Sequence, residues 1–175
     1  MTRTFAAIPA MALALSGCTS TGQIPTTTLA SGTLRSVGGA PAGTVVLVAA
    51  GDAVTINVAV IGLPPGTHGL HLHLFGSCDG PDFKTAGGHL NPHGLKHGTA
   101  NPAGSHLGDL PNLLADSYGA GTVTAKLRDG RAAVEAALFD ADGTAIVVHA
   151  DPDDNQTDPS GNSGARIACG VLQRG

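Results

Sequence analysis

Eight histidines stand among the 175 residues, and all of them fall in the stretch from His68 to His149. So many imidazoles in so short a stretch point to metal, because neutral imidazole is the commonest protein ligand for transition ions. Leu70-His71-Leu72-His73-Leu74 alternates with period two. Residues two apart on a strand share a face, so both imidazoles are expected to face outward while the leucines face a core. Two imidazoles on a rigid strand make half of a nitrogen-rich site of the kind copper prefers. His89, His97, His106 and Asp109 follow at intervals of 8, 9 and 3 residues. Three imidazoles and one carboxylate can close a tetrahedral shell around zinc. His149 ends the apolar run Ile146-Val147-Val148, where a strand would emerge and could add a ligand from across the sheet.

Ligands this far apart in sequence need a rigid frame to bring them together. The 26 glycines and 11 prolines imply many turns. Between turn signals such as Asp129-Gly130 and Asp142-Gly143, β-branched or alternating runs predict strands over 28–37, 43–50, 54–61, 69–75, 122–127, 132–139, 145–149 and 166–172. A short helical turn is expected over 112–116, after Pro111. The chain is therefore expected to be all-β, an antiparallel sandwich or barrel of about eight strands. Two stretches, 76–118 and 150–165, carry no strand pattern. Loops of that length inside a compact domain are usually functional, and a bound metal would order them. The net charge of −4 excludes a broadly basic nucleic-acid binder, and 42% hydrophobic residues with only 13% charged exclude a disordered chain.

The first seventeen residues hold one charge, Arg3, and an apolar run over 5–15, which reads as an export signal. The run ends Leu15-Ser16-Gly17-Cys18, which resembles a bacterial lipobox. On this reading 1–17 is a lipoprotein signal peptide, Cys18 carries lipid, 18–29 is a flexible tether and 30–175 is the domain. Removing the signal takes Arg3 away and brings the net charge from −4 to −5. Three cysteines are an odd number for an exported protein. If Cys18 is lipidated, Cys78 and Cys169 remain as one pair for an oxidising compartment.

Several motifs occur together and in order: Gly69-Leu70-His71-Leu72-His73, Gly87-Gly88-His89-Leu90-Asn91-Pro92, Lys96-His97-Gly98, His106-Leu107-Gly108-Asp109-Leu110, Val147-Val148-His149 and Gly164-Ala165-Arg166-Ile167-Ala168-Cys169-Gly170. In these the chain resembles the copper–zinc superoxide dismutases, over roughly residues 30–172. The resemblance implies an eight-stranded antiparallel Greek-key sandwich or barrel with two long functional loops, and one copper and one zinc per subunit. It assigns copper to His71, His73, His89 and His149, and zinc to His89, His97, His106 and Asp109. His89 would thus bridge the two ions. Asp153 would link His71 to His97, with Asp154 as the alternative holder of that role. Arg166 would attract and orient superoxide, and Cys78 and Cys169 would form the intrasubunit disulfide. His68 matches a structural histidine, and His93 is left as an exposed loop residue.

The implied activity is dismutation of superoxide to O2 and hydrogen peroxide, protecting the periplasm or cell envelope, with membrane contact only through the lipid anchor and no nucleic-acid partner. Two other readings stand beside it: a copper- and zinc-binding or copper-delivery module on the same fold, and a structural sandwich at the cell surface. The family includes monomers and dimers, so a homodimer stays open. Two departures stand out. Between His149 and Arg166 there is no lysine, so weak electrostatic steering carried mostly by Arg166 is expected. Leu74-Phe75 follows the H-x-H where many relatives have an acidic residue.

Overall fold

The computed structural model describes Met1 and residues 24–175. The expected signal peptide and Cys18 lie outside the described residues. Strands β1 (Thr26–Ser36), β2 (Pro41–Ala50) and β3 (Ala53–Val60) form an antiparallel meander, and their inward positions Leu34, Leu47 and Ile56 are wholly buried. Strand β1 reaches back to Thr26, opposite Ala50, so residues 26–29 of the expected tether are paired strand.

Next come β4 (Gly66–His68), β5 (Leu70–His73), β6 (Leu113–Ala115), β7 (Gly121–Lys126), β8 (Ala145–His149), β9 (Arg166–Val171) and β10 (Gln173–Arg174). The main sheet runs β5-β8-β9-β1-β2-β3-β7, with β10 also paired to β1, and β4 pairs with β6. All of these pairings are antiparallel. The sheet curls, and the β4–β6 pair stands between its two ends. At one end β7 turns back into β6, where the Asp116 N–H donates to Ala120 O at 2.8 Å. At the other end β5 follows β4 after the single residue Gly69. With β4 and β5 taken as one broken strand and the short β10 set aside, eight strands close a circuit. The β3-to-β4 and β7-to-β8 connections skip their nearest neighbours, as in a Greek key. The expected fold class holds.

Two local expectations fail. Residues 132–139 are the helix α1 (Arg131–Leu138), not a strand. The stretch Arg-Ala-Ala-Val-Glu-Ala-Ala-Leu is rich in strong helix formers. It buries Val134 and Leu138 at i,i+4 spacing and pairs Arg131 with Glu135 at 2.7 Å on the same spacing. Residues 112–116 are not a helical turn. They hold β6, whose Leu113 and Ala115 point inward while Leu114 is exposed, the period of a strand.

Strand β8 has both faces covered. Ile146 and Val148 join the main core, while Ala145 and Val147 pack on the other side with Phe83, Ala86 and Cys169. That second layer is the first long loop folded over the sheet. It is pinned by a disulfide between Cys78 and Cys169, with Cα atoms 5.7 Å apart.

Candidate metal centre

The site is built on β5 and β8 and closed by loops. One edge of β5 pairs with β8. Its other edge would leave main-chain groups unpaired, and the first long loop returns twice to meet them. Leu72 N–H donates to Gly108 O (2.9 Å), Leu90 N–H donates to Leu72 O (2.8 Å), and Leu74 N–H donates to Gly88 O (2.9 Å). These bonds place His89 opposite His73 and Asp109 opposite His71. Gly108 is required there, since a Cβ would stand 2.4 Å from Leu72 O.

His71 and His73 do share the outer face of β5, but they are buried rather than open, because the returning loop covers them. Leu74 is the member of the expected inward set that is exposed. On the neighbouring strand, His149 is the last residue of β8, in register with Arg166 of β9.

Potential ligand atoms fall into overlapping groups, each with its atoms within 4.8 Å of one another: His71, His73, His89 and His149; His89, His97, His106 and Asp109; and His71, His97 and Asp153. In the second group, Asp109 Oδ1 is 3.0 Å from His89 Nδ1, 3.0 Å from His97 Nδ1 and 3.1 Å from His106 Nδ1. His89 Nδ1 and His106 Nδ1 are 3.4 Å apart. Tetrahedral zinc with Zn–N bonds of 2.0–2.1 Å has ligand atoms about 3.3 Å apart, and these four separations lie close to that value. Hydrogen bonds alone account poorly for three ring nitrogens converging on one oxygen, which offers two lone pairs. The other oxygen of Asp109 is taken by the N–H groups of Gly98 (2.8 Å) and His106 (2.9 Å).

In the four-histidine group His73 Nε2 and His149 Nε2 are 3.5 Å apart. Each ring has its far nitrogen tied down, which aims the near one inward. His71 Nε2 donates to Asp153 Oδ2 (2.8 Å), His73 Nδ1 to Gly87 O (2.9 Å) and His149 Nδ1 to Gly164 O (3.3 Å). Inward-facing His71 Nδ1 and His89 Nε2 are buried with no hydrogen-bond partner among the described residues. Orphaned buried nitrogens are costly in an apoprotein, and a bound cation would satisfy both.

Burial also keeps these rings neutral. It pushes His73 down to about 2, His149 to about 3 and His89 to about 4, and it lowers His71 as well. Neutral rings offer the lone pairs that metal binding requires. For Asp153 burial favours the protonated form, but donation from His71, His97 and the Asn155 N–H outweighs it and holds the carboxyl at about 2. In Asp109 the same contest leaves the carboxyl well below its ordinary value.

Asp153 joins the two halves, with its second oxygen accepting from His97 Nε2 at 3.0 Å. Asp154 does not share this role: it accepts the N–H groups of Gln156 and Thr157 and the Asn162 amide, capping a turn. Arg166 donates from Nη1 to Phe83 O (2.7 Å) and from Nη2 to Gly87 O (2.6 Å), and to no carboxylate among the described residues. Gly87 O therefore fixes both Arg166 and His73. Arg166 also lines a cavity of about 500 Å³ with Asp82 and Lys84, and the Lys84 ammonium is matched by Asp82 at 2.7 Å. His68 is buried against His149 O (2.8 Å) and Pro64 O (2.9 Å), while the half-exposed His93 meets Asp129 at 2.7 Å.

Three supports were missed in the sequence. Asn112 holds the main chain of Asp153 from both sides, accepting its N–H and donating to its carbonyl, each at 2.8 Å. Asn112 lies next to a known-looking ligand run, and an amide just after Asp109-Leu110-Pro111 was the available signal. Gly161, at φ +64°, leaves the space that Asp153 occupies. The carbonyls of Phe83 and Gly87 are main-chain groups and carry no sequence signal.

A Greek-key barrel carrying two adjoining ligand groups that share one imidazole defines a class of binuclear metalloprotein. The chain belongs to the family described as copper/zinc superoxide dismutase (SODC), whose model matches residues 41–172. It is 42% identical over 152 residues to a superoxide dismutase [Cu-Zn] of Caulobacter vibrioides, covering 82% of this chain and 85% of that one. Among solved structures it resembles a SOD-like protein from Bacillus subtilis (TM-score 0.75, 37% identity, 82% of this chain and 97% of that one). It also resembles the Cu/Zn superoxide dismutase from Brucella abortus (TM-score 0.65, 28% identity, 85% of this chain and 100% of that one).

Proposed function

We propose that the chain dismutes superoxide, turning two superoxide anions and two protons into O2 and hydrogen peroxide. His71, His73, His89 and His149 would hold copper, and His89, His97, His106 and Asp109 would hold zinc. The observation that carries this reading is His89, whose ring belongs to both groups, with Nδ1 facing Asp109 and the buried Nε2 facing the other three histidines. When bound, copper supplies one-electron exchange in both directions, and zinc, which has no redox chemistry, orders the loop.

The chain's own residues do the rest. His71, His73 and His149 present neutral nitrogens whose direction is set by Asp153, Gly87 O and Gly164 O. His89 Nε2 is the atom at which the chain can hold a proton inside the site and release it to product. Arg166 spends two N–H groups on Phe83 O and Gly87 O, and its remaining donors and permanent charge serve to attract and orient a small anion.

Residues 1–17 serve in this proposal as a lipoprotein signal, with lipid on Cys18 and the domain on the periplasmic side of the envelope. The Cys78–Cys169 bond fits an oxidising compartment. No helix of the described residues is long and apolar enough to cross a membrane. Metal analysis with a dismutation assay tests the activity. About one copper and one zinc per chain with cyanide-sensitive turnover supports it; copper bound without turnover would instead favour a delivery module.

A further inference from the structure

The first long loop reaches His97 through a stretch without regular structure. Gly98, at φ +98°, lies so close to the second loop that a Cβ would overlap Asn155 O. Cross-loop bonds follow: Ala100 N–H donates to Asn155 O (3.1 Å), and Thr99 Oγ1 donates to Asn155 Oδ1 (3.0 Å). These bonds lie beyond His97, and none of them holds the main chain of His97 itself.

Asp158 does. Its Oδ1 accepts the His97 N–H at 2.7 Å, and its Oδ2 meets Lys96 Nζ at 2.9 Å. His97 must present Nδ1 to Asp109 and Nε2 to Asp153 at once, each at 3.0 Å. A ring held at both ends tolerates little movement of its own main chain, so whatever fixes that main chain fixes the ligand. We infer that Asp158 is a positioning residue for His97: through its bond to the His97 N–H it holds this ligand in place and slows loss of the ion from the His89, His97, His106 and Asp109 group. The ion pair with Lys96 is secondary, since the Lys96 side chain is 64% exposed and such pairs contribute little.

The inference rests on the zinc reading above, and one experiment separates the two. Zinc release from the metal-loaded full chain into excess chromogenic chelator is timed for the parent and for Asp158→Ala, Asp158→Asn and Lys96→Ala. Asp158→Ala is expected to release zinc about tenfold faster. Asp158→Asn keeps an acceptor for the His97 N–H, and Lys96→Ala removes only the ion pair. Both are expected to stay within about threefold of the parent. Asp158→Ala matching the parent overturns the inference, as do Asp158→Asn and Lys96→Ala both matching Asp158→Ala. A parent chain that binds no zinc would sink the zinc reading itself.

Discussion

Gly161→Ala is the sharpest structural test of the link between the two metal groups. A Cβ at this position would stand 1.7 Å from Asp153 Oδ1 and 2.8 Å from His97 Nε2, at φ +64°. An ordinary carbon–oxygen contact is about 3.5 Å, so Asp153 or the turn must move by more than 1 Å. Moving Asp153 lengthens its 3.0 Å bond to His97 beyond hydrogen-bonding range. A charge-assisted bond of this kind contributes about 1.5–3 kcal/mol, and left-handed backbone at a non-glycine residue costs about 1–2 kcal/mol. The metal-free protein should therefore lose about 3–5 kcal/mol, which lowers its melting temperature by roughly 10 °C for a domain of this size. Zinc affinity should fall about 10- to 100-fold. Thermal melts of the metal-free chain and zinc competition titrations measure both. Gly38→Ala is the control, because its nearest heavy atom, Ser36 Oγ, lies 4.0 Å away. A Gly161→Ala protein that melts with the parent and binds zinc equally well would refute the reasoning about Asp153.

Three further predictions follow from the same geometry. Arg166→Ala should lower superoxide turnover about tenfold and flatten its dependence on ionic strength, because the nearby Lys84 is neutralised by Asp82; a steep fall with salt that survives the substitution contradicts this. Asn112→Ala removes both bonds that hold the Asp153 main chain and should weaken zinc binding without moving the Arg166-dependent salt response, as zinc titration beside stopped-flow turnover would show. The metal-free chain should be acid-labile. His73, His149 and His89 ionise at about 2, 3 and 4 when folded but near 6.5 when unfolded, so below pH 6.5 the unfolded chain takes up protons that the folded chain refuses. Stability then falls with pH until the folded values are reached, by about 4 kcal/mol per unit between pH 5.5 and 4. Urea melts of the metal-free chain that do not change between pH 6.5 and 4.5 would count against neutral buried rings.

Side chains suited to hold ions were legible because their chemistry is written in residue type. The alternation about His71 and His73, and the spacing of His89, His97, His106 and Asp109, survive into the structure as two ligand groups. Burial of the H-x-H pair was not legible, since it depends on a loop returning to the free edge of β5. The Ala132 region misled because a short amphipathic helix and an alternating strand differ little over eight residues. Val134 and Leu138 settle it only through what they pack against. The carbonyls that fix Arg166 belong to residues 83 and 87, where nothing about the side chains marks the role. Asp158 acts through a contact between two loops that are distant in sequence, and Gly161 through the room it leaves for Asp153 beside His97.

A crystal structure of the fully loaded protein tests the central claim most directly. The account predicts two cations on opposite nitrogens of the His89 ring, Nε2 toward His71, His73 and His149, and Nδ1 toward His97, His106 and Asp109. A single cation in the site, or two cations with residue 89 touching only one, would contradict it.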